Sequence, residues 1–241
     1  MAAQDRVTWV TGAGSGMGRA AALAAARSGR AVALSGRRAD RLAEVRATIE
    51  AAGGRALAVP GDTTDPAWAG EAAAAVLGAW GRIDEVVVAA GLNEPRRRWD
   101  DQSMAGFEAV VATNLTGVAR VVDAALPALR ERGGTVVVVS SYAAWTFSAG
   151  SGVAYSASKT ALGPLCRTLN AQEGAHGVRA THLCPGDVDT DFLAQRPVVP
   201  DADARAVMLT PDDVARSVLH VLDAPPHVRI DELVISPVAQ R

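Results

Sequence analysis

Short apolar runs rich in valine alternate with longer helical stretches from one end of the chain to the other. The runs are Val7–Val10, Ala31–Ser35, Ala56–Val59, Glu85–Ala89, Thr135–Ser140, Ala180–Cys184 and Leu233–Ile235, each bounded by Gly, Pro or Asp. Most are apolar throughout rather than at every second residue, which marks strands covered on both faces. Between them the sequence predicts helices over Gly18–Arg27, Asp40–Ala52, Pro66–Trp80, Phe107–Arg130, Val153–Glu173 and Pro211–Leu222. Asp65-Pro66 and Thr210-Pro211 read as helix starts, a capping residue before a proline in the first turn. Gly53-Gly54 and Gly133-Gly134 read as helix stops. Strand–helix alternation of this kind implies a parallel sheet with helices on both faces. No repeat, linker or low-complexity tract interrupts it, so residues 1–241 are expected to form one doubly wound domain.

Composition narrows the function classes. With 24 basic and 26 acidic residues, the net charge of −2 gives no electrostatic footprint for nucleic acid or an anionic membrane. No apolar run is read as a membrane span, and the first strand begins too early for a signal peptide, so a cytoplasmic protein is expected. Cys166 and Cys184 make neither a disulfide framework nor a metal motif, and the 4 histidines lack ligand spacing; no metal is expected.

The first strand runs into Thr11-Gly12-Ala13-Gly14-Ser15-Gly16-Met17-Gly18 and an alanine-rich helix. Strand, glycine-rich turn and helix are the context of a dinucleotide-binding turn. The glycines let the backbone approach a pyrophosphate, and the helix N-terminus offers unpaired N–H groups and positive dipole. The spacing is T-G-x-x-x-G-x-G, on Gly12, Gly16 and Gly18. The second strand ends in Gly36-Arg37-Arg38, without the carboxylate that binds a ribose 2′-hydroxyl in NAD enzymes. Arg37 suits a 2′-phosphate, so NADP(H) is favoured over NAD(H), which stays possible.

Tyr155 and Lys159 stand four apart on a predicted helix and share a face. Lys159 is the single lysine of the chain; every other strongly basic side chain is arginine. A nearby ammonium is expected to lower the tyrosine pKa from its ordinary value of about 10. A compact three-donor head also does what a guanidinium does not, reaching a ribose and a water together.

The Thr11–Gly18 turn together with Tyr155-x-x-x-Lys159, in a chain of this length, resembles the short-chain dehydrogenase/reductase family. The resemblance covers nearly the whole chain. It implies a Rossmann-type fold of seven parallel strands in the order 3-2-1-4-5-6-7. It also implies a catalytic set of Asn114, Ser141, Tyr155 and Lys159, with Ser140 as the alternative serine and Asn114 holding a relay water. Gly12, Ser15, Gly16, Met17, Gly18, Arg37, Arg38, Asp62, Thr63, Ala90, Gly91, Tyr155, Lys159, Pro185, Gly186, Val188 and Thr190 are the implied cofactor contacts. Asp62 would meet the adenine, and Pro185, Gly186 and Thr190 the nicotinamide. Where relatives commonly carry Asn-Asn-Ala-Gly, this chain has Val88-Ala89-Ala90-Gly91, without the side chains that stiffen that turn.

The implied reaction is reversible hydride transfer between NADP(H) and a small-molecule carbonyl or alcohol. The alternatives are an NAD-dependent alcohol dehydrogenase and a weakly active or non-catalytic cofactor sensor. A homo-oligomer, most often a tetramer, is implied as well. Residues 187–210, irregular from 192 onward, are expected to form a substrate loop. Tyr142, Trp145, Phe147, Phe192, Leu193 and Met208 are expected to wall an apolar pocket. Arg96–Arg98 and Trp99 are open to two readings, contact with an anionic group or a solvated loop, and the solvated loop is favoured.

Overall fold

A computed structural model describes residues 6–240. The strands are β1 (Val7–Thr11), β2 (Ala31–Gly36), β3 (Arg55–Pro60), β4 (Glu85–Val88), β5 (Gly134–Val139), β6 (Val178–Pro185) and β7 (Glu232–Ile235). They form one parallel sheet in the order β3-β2-β1-β4-β5-β6-β7, as the resemblance implied. Alternation along each strand feeds two cores. Val86, Val88, Val136 and Val138 face one, under α3 (Trp68–Trp80), α5 (Gly117–Arg132) and α8 (Leu162–Glu173). Val87, Val137 and Val139 face the other, under α1 (Gly16–Arg27), α2 (Ala39–Ala51) and α10 (Pro211–Leu222). Burial on both sides is why the runs read as continuously apolar.

Several predicted elements are drawn differently by the tertiary structure. The helix expected over Phe107–Arg130 is α4 (Met104–Val111), a wide π turn (Ala112–Thr116) and α5. The wide turn carries Asn114 into the interior. Together these segments make a helix of 29 residues, long and apolar enough to cross a bilayer, contrary to the reading of the sequence. Here its inner face is packed against α3, β4 and β5. The helix expected over Val153–Glu173 breaks at Ala161 into α7 (Val153–Thr160) and α8. Pro164 has no N–H to offer the Thr160 carbonyl, so the hydrogen-bond ladder stops there.

Helix α3 begins at Trp68, not at Pro66. Asp62 folds back onto the Thr64 amide and Asp65 onto the Ala67 amide, so two side-chain turns delay the helix. At Thr210-Pro211 the expectation holds: the Thr210 hydroxyl accepts from the Asp213 amide, and the Asp213 carboxylate accepts from the Thr210 amide.

The segment from 187 to 210 is more ordered than its sequence suggested. A 3₁₀ turn (Asp191–Gln195) and α9 (Ala202–Ala206) lie within it. Its base is cinched by a bridge between Val188 and Leu209, with the Asp189 amide donating to the Leu209 carbonyl at 2.8 Å. Arg205 pairs with Asp189 at 2.6 Å and Arg196 with Asp187.

Candidate active site

A cleft of about 770 Å³ opens at the carboxyl ends of the strands. Ligands bind in doubly wound sheets at this end. One end of the cleft is the glycine-rich turn. Gly12 has φ +67°, and a Cβ there would sit 2.8 Å from the Ala89–Ala90 backbone. A Cβ on Gly18 would sit 2.3 Å from the Gly12 carbonyl oxygen. Side chains at either position would therefore fill the space between the turn and its neighbours. Ser15 flanks the start of α1, and its hydroxyl accepts from Arg38 at 2.9 Å. Arg38 thereby reaches the turn through one guanidinium nitrogen. Arg37, exposed at the end of β2, has no hydrogen-bond or ion-pair partner among the described residues. Every residue named above as a cofactor contact lines this cleft, from Gly12 to Thr190.

Asp62 lines the cleft while accepting from the Thr64 amide and hydroxyl, both at 2.9 Å, which fixes its carboxylate. The turn without asparagines is held by a different device. Asn114, fully buried, accepts from the Leu92 amide and donates to the Leu92 carbonyl, both at 2.8 Å. Its remaining amide hydrogen goes to Ser158 Oγ at 3.2 Å. Asn114 thus clamps the chain just beyond Gly91. It stands behind the cleft wall rather than in it, and both its amide hydrogens are engaged.

At the other end Ser141 and Tyr155 line the cleft together, close enough for the Ser141 hydroxyl to favour the ionised form of Tyr155. Ser141 also caps α6 (Tyr142–Trp145), its hydroxyl accepting from the Ala143 amide at 3.2 Å. Ser140, one residue back, is buried, and its hydroxyl donates to the Lys159 carbonyl at 3.2 Å. Successive side chains at the end of a strand point to opposite sides. Of the two serines, Ser141 is the one aimed at Tyr155.

Lys159 is buried, donates to the Val139 carbonyl at 2.9 Å, and lies 5.9 Å from the centre of the Tyr155 ring. Burial pushes its ammonium down to about 8. The electrostatics of Tyr155 depart from expectation. Burial raises its hydroxyl above the ordinary value, and this outweighs the Ser141 hydrogen bond and the charges of Arg196 and Arg97, which lower it. The ammonium faces the ring and the Val139 carbonyl, so the expected lowering by Lys159 is absent.

The pocket walls also differ from expectation. Tyr142, Phe192 and Leu193 line the cleft, with the Phe192 ring centre 6.2 Å from that of Tyr155. Trp145 and Phe147 are instead exposed, at 52% and 87%. Met208 is not part of the lining. Arg97, expected in a solvated loop, is drawn into the cleft wall, and Arg196 joins it. No local pattern marks these two, because they meet only when the loop after β4 docks on the 187–210 segment. The tie is the Asn93 amide, which donates to Gln195 Oε1 at 2.8 Å.

Behind the cleft, His182, Cys184 and Glu232 bring ligand atoms within 4.8 Å of one another, although their spacing in sequence gave no sign of it. Glu232 is hydrogen-bonded to His182 Nδ1 at 3.0 Å, and burial pushes the Cys184 thiol up to about 12, so it is held protonated.

The family model described as short chain dehydrogenase matches residues 6–198. A glycine betaine reductase of Emericella nidulans is 34% identical over 96% of this chain, but the chain spans only 19% of that protein's length. An uncharacterized oxidoreductase of Staphylococcus aureus (strain N315) is 30% identical, covering 97% of this chain and 98% of its own. Among solved structures, an alcohol dehydrogenase from the archaeon Thermococcus sibiricus, complexed with 5-hydroxy-NADP, superposes with a TM-score of 0.89. It is 32% identical, and 98% of each chain is covered.

Proposed function

The chain belongs to the short-chain dehydrogenase family, and from that premise we propose that it is an NADP(H)-dependent oxidoreductase interconverting a carbonyl and a secondary alcohol. The observation that carries this reading is the convergence of the Ser141 and Tyr155 hydroxyls and buried Lys159 at one end of a cleft whose other end is the glycine-rich cradle. The cradle fits a dinucleotide, since glycines at 12 and 18, where a Cβ would strike the Ala89–Ala90 backbone and the Gly12 carbonyl, keep the turn tight at the N-terminus of α1, which suits a pyrophosphate. Unpartnered Arg37 supports NADP(H) over NAD(H), and the 5-hydroxy-NADP held by the archaeal alcohol dehydrogenase agrees with that choice.

In the proposed reduction the bound nicotinamide supplies the hydride. Ser141 holds the carbonyl oxygen and Tyr155 delivers the proton to it. A tyrosine raised by burial keeps that proton at neutral pH, which suits a donor. Lys159 holds the nicotinamide ribose through its ammonium and orients Tyr155. Asn114 acts through the Leu92 backbone, fixing the turn against which the cofactor lies. The proposed assembly is a homotetramer in which the α4–α5 and α7–α8 faces meet symmetry mates.

A screen of aldehydes, ketones and secondary alcohols with both reduced and oxidised cofactors tests the reading. Turnover with NADP(H) is expected, reduced by about 10²–10⁴-fold in Tyr155→Phe while NADPH binding is retained. Activity of Tyr155→Phe within a few-fold of the parent would overturn the assignment.

A further inference from the structure

Arg97 sits on the loop after β4, yet its side chain is built into the wall beside Tyr155. Its stem lies against Gly152, where an added Cβ would come within 2.7 Å of Arg97 Cβ and Cδ. Its carbonyl accepts from the Val153 amide at 3.2 Å, at the first residue of the helix that carries Tyr155. One guanidinium nitrogen, Nη1, donates weakly to the Ser151 carbonyl at 3.4 Å. The Nε atom is buried and has no partner, the one such side-chain atom among the described residues. Arg97 makes no ion pair among the described residues either. The neighbouring cation, Arg196, is already paired with Asp187. A guanidinium nitrogen deprived of both water and an acceptor carries an uncompensated desolvation cost.

We propose that Arg97 is the recognition site for a substrate carboxylate, and that the enzyme acts on hydroxy acids and the corresponding oxo acids. With Nε closed off, the Nη1–Nη2 end of the guanidinium, which makes only the weak contact to Ser151, presents two donors that match the two oxygens of a carboxylate. A methyl ester or an alcohol has no such pair of anionic acceptors. Arg97 and Tyr155 line the same cleft, which puts a carboxylate held by Arg97 in the chamber that holds the reacting oxygen. In the oxidative direction the carbinol C–H bond breaks, its hydride passes to NADP⁺, and the hydroxyl proton leaves through Tyr155. The oxo acid, NADPH and one proton result. Ser141 and Tyr155 hold the oxygen while Arg97 holds the carboxylate, so the carbinol carbon is fixed between them.

This inference rests on the proposed oxidoreductase activity, and the test separates the two. In the first arm, a panel of 2- and 3-hydroxy acids, each beside its methyl ester, is oxidised with NADP⁺. The expected result is a kcat/KM for at least one acid about ten- to a hundredfold above that of its ester. In Arg97→Gln this acid-over-ester ratio should collapse towards one, with partial recovery in Arg97→Lys, which keeps the charge but loses the fork. A purely supporting role for Arg97 would lower both members of a pair by the same factor, and that result overturns the proposal.

The second arm titrates malonate into the protein with NADP⁺ present, by calorimetry. Binding at least tenfold tighter in the parent than in Arg97→Gln is expected. Malonate binding that depends on Arg97 without turnover of any compound would leave the carboxylate site standing and remove the oxidoreductase reading. Turnover of neutral compounds with no preference for acids would do the reverse. Absence of malonate binding, or binding equal in parent and Arg97→Gln, overturns the carboxylate site.

Discussion

Lys159 is buried against the Val139 carbonyl and titrates near 8, within reach of ordinary assays. Its protonated form is the one that would bind a ribose with an ammonium, so cofactor binding should favour uptake of the proton. Affinity for NADPH is then full below about 8 and declines as pH rises through that value. Measuring Kd by fluorescence from acid to alkaline pH should show this inflexion in the parent and a flat response over the same interval in Lys159→Met. A parent curve without it would mean that Lys159 does not touch the cofactor. The same residue shows how burial reverses an argument from spacing. Four residues of separation put an ammonium beside a tyrosine, but desolvation acts on both and the tyrosine is raised rather than lowered.

The end of β2 is the element that sets cofactor choice. A Cβ on Gly36 would meet only Leu42, at an ordinary 3.7 Å, so a larger side chain fits there without strain. Gly36→Asp combined with Arg37→Ile should reverse the preference from NADP(H) to NAD(H). The carboxylate would repel a 2′-phosphate and accept from a ribose hydroxyl, and the guanidinium would be gone. One charge-assisted contact is worth about 1.5–3 kcal/mol, so a change of ten- to a hundredfold in relative Kd is expected. Equal affinities in the parent would mark Arg37 as a surface residue only. Arg38 is left in place in this exchange, since its Nη2 already donates to Ser15.

Across the whole molecule, the end of the sheet remote from the cleft is locked by charge. Glu85, at the start of β4, accepts from Arg30 at 2.7 Å, from Arg6 at 3.0 Å and from the Thr8 hydroxyl at 2.6 Å. The Arg30 side chain is 0% exposed. Removing the carboxylate leaves a buried guanidinium with Asp223 as its one remaining counter-ion among the described residues. Glu85→Ala should therefore lose about 3 kcal/mol in urea unfolding at pH 7, the lower end for a broken buried pair. A loss under about 1 kcal/mol would show that Arg30 relaxes into water. At the same scale, the proposed tetramer is checked by light scattering at micromolar concentration, where a monomer would refute it.

Much of this protein is fixed by short-range pattern. Valine runs flanked by Gly, Pro and Asp set the strands, because a buried parallel strand needs apolar side chains on both faces. Thr210-Pro211 set the start of a helix, because capping is settled within four residues. Gly12, Gly16 and Gly18 set the cradle, and the i, i+4 spacing set Tyr155 beside Lys159. Other features depend on contacts between segments far apart in the chain. Asn114 reaches Leu92 through a wide helical turn that no residue in its own helix announces. Ser141 rather than Ser140 faces Tyr155 because of where β5 ends against α7. The direction of the tyrosine's shift, and the burial of Arg97 Nε, come from water excluded when separate loops close on one another. Sequence pattern encodes which side chains prefer to be buried and how the backbone turns locally. It does not encode which charged groups lose their water together, and that exclusion, made only by the assembled fold, determines the electrostatics of the site.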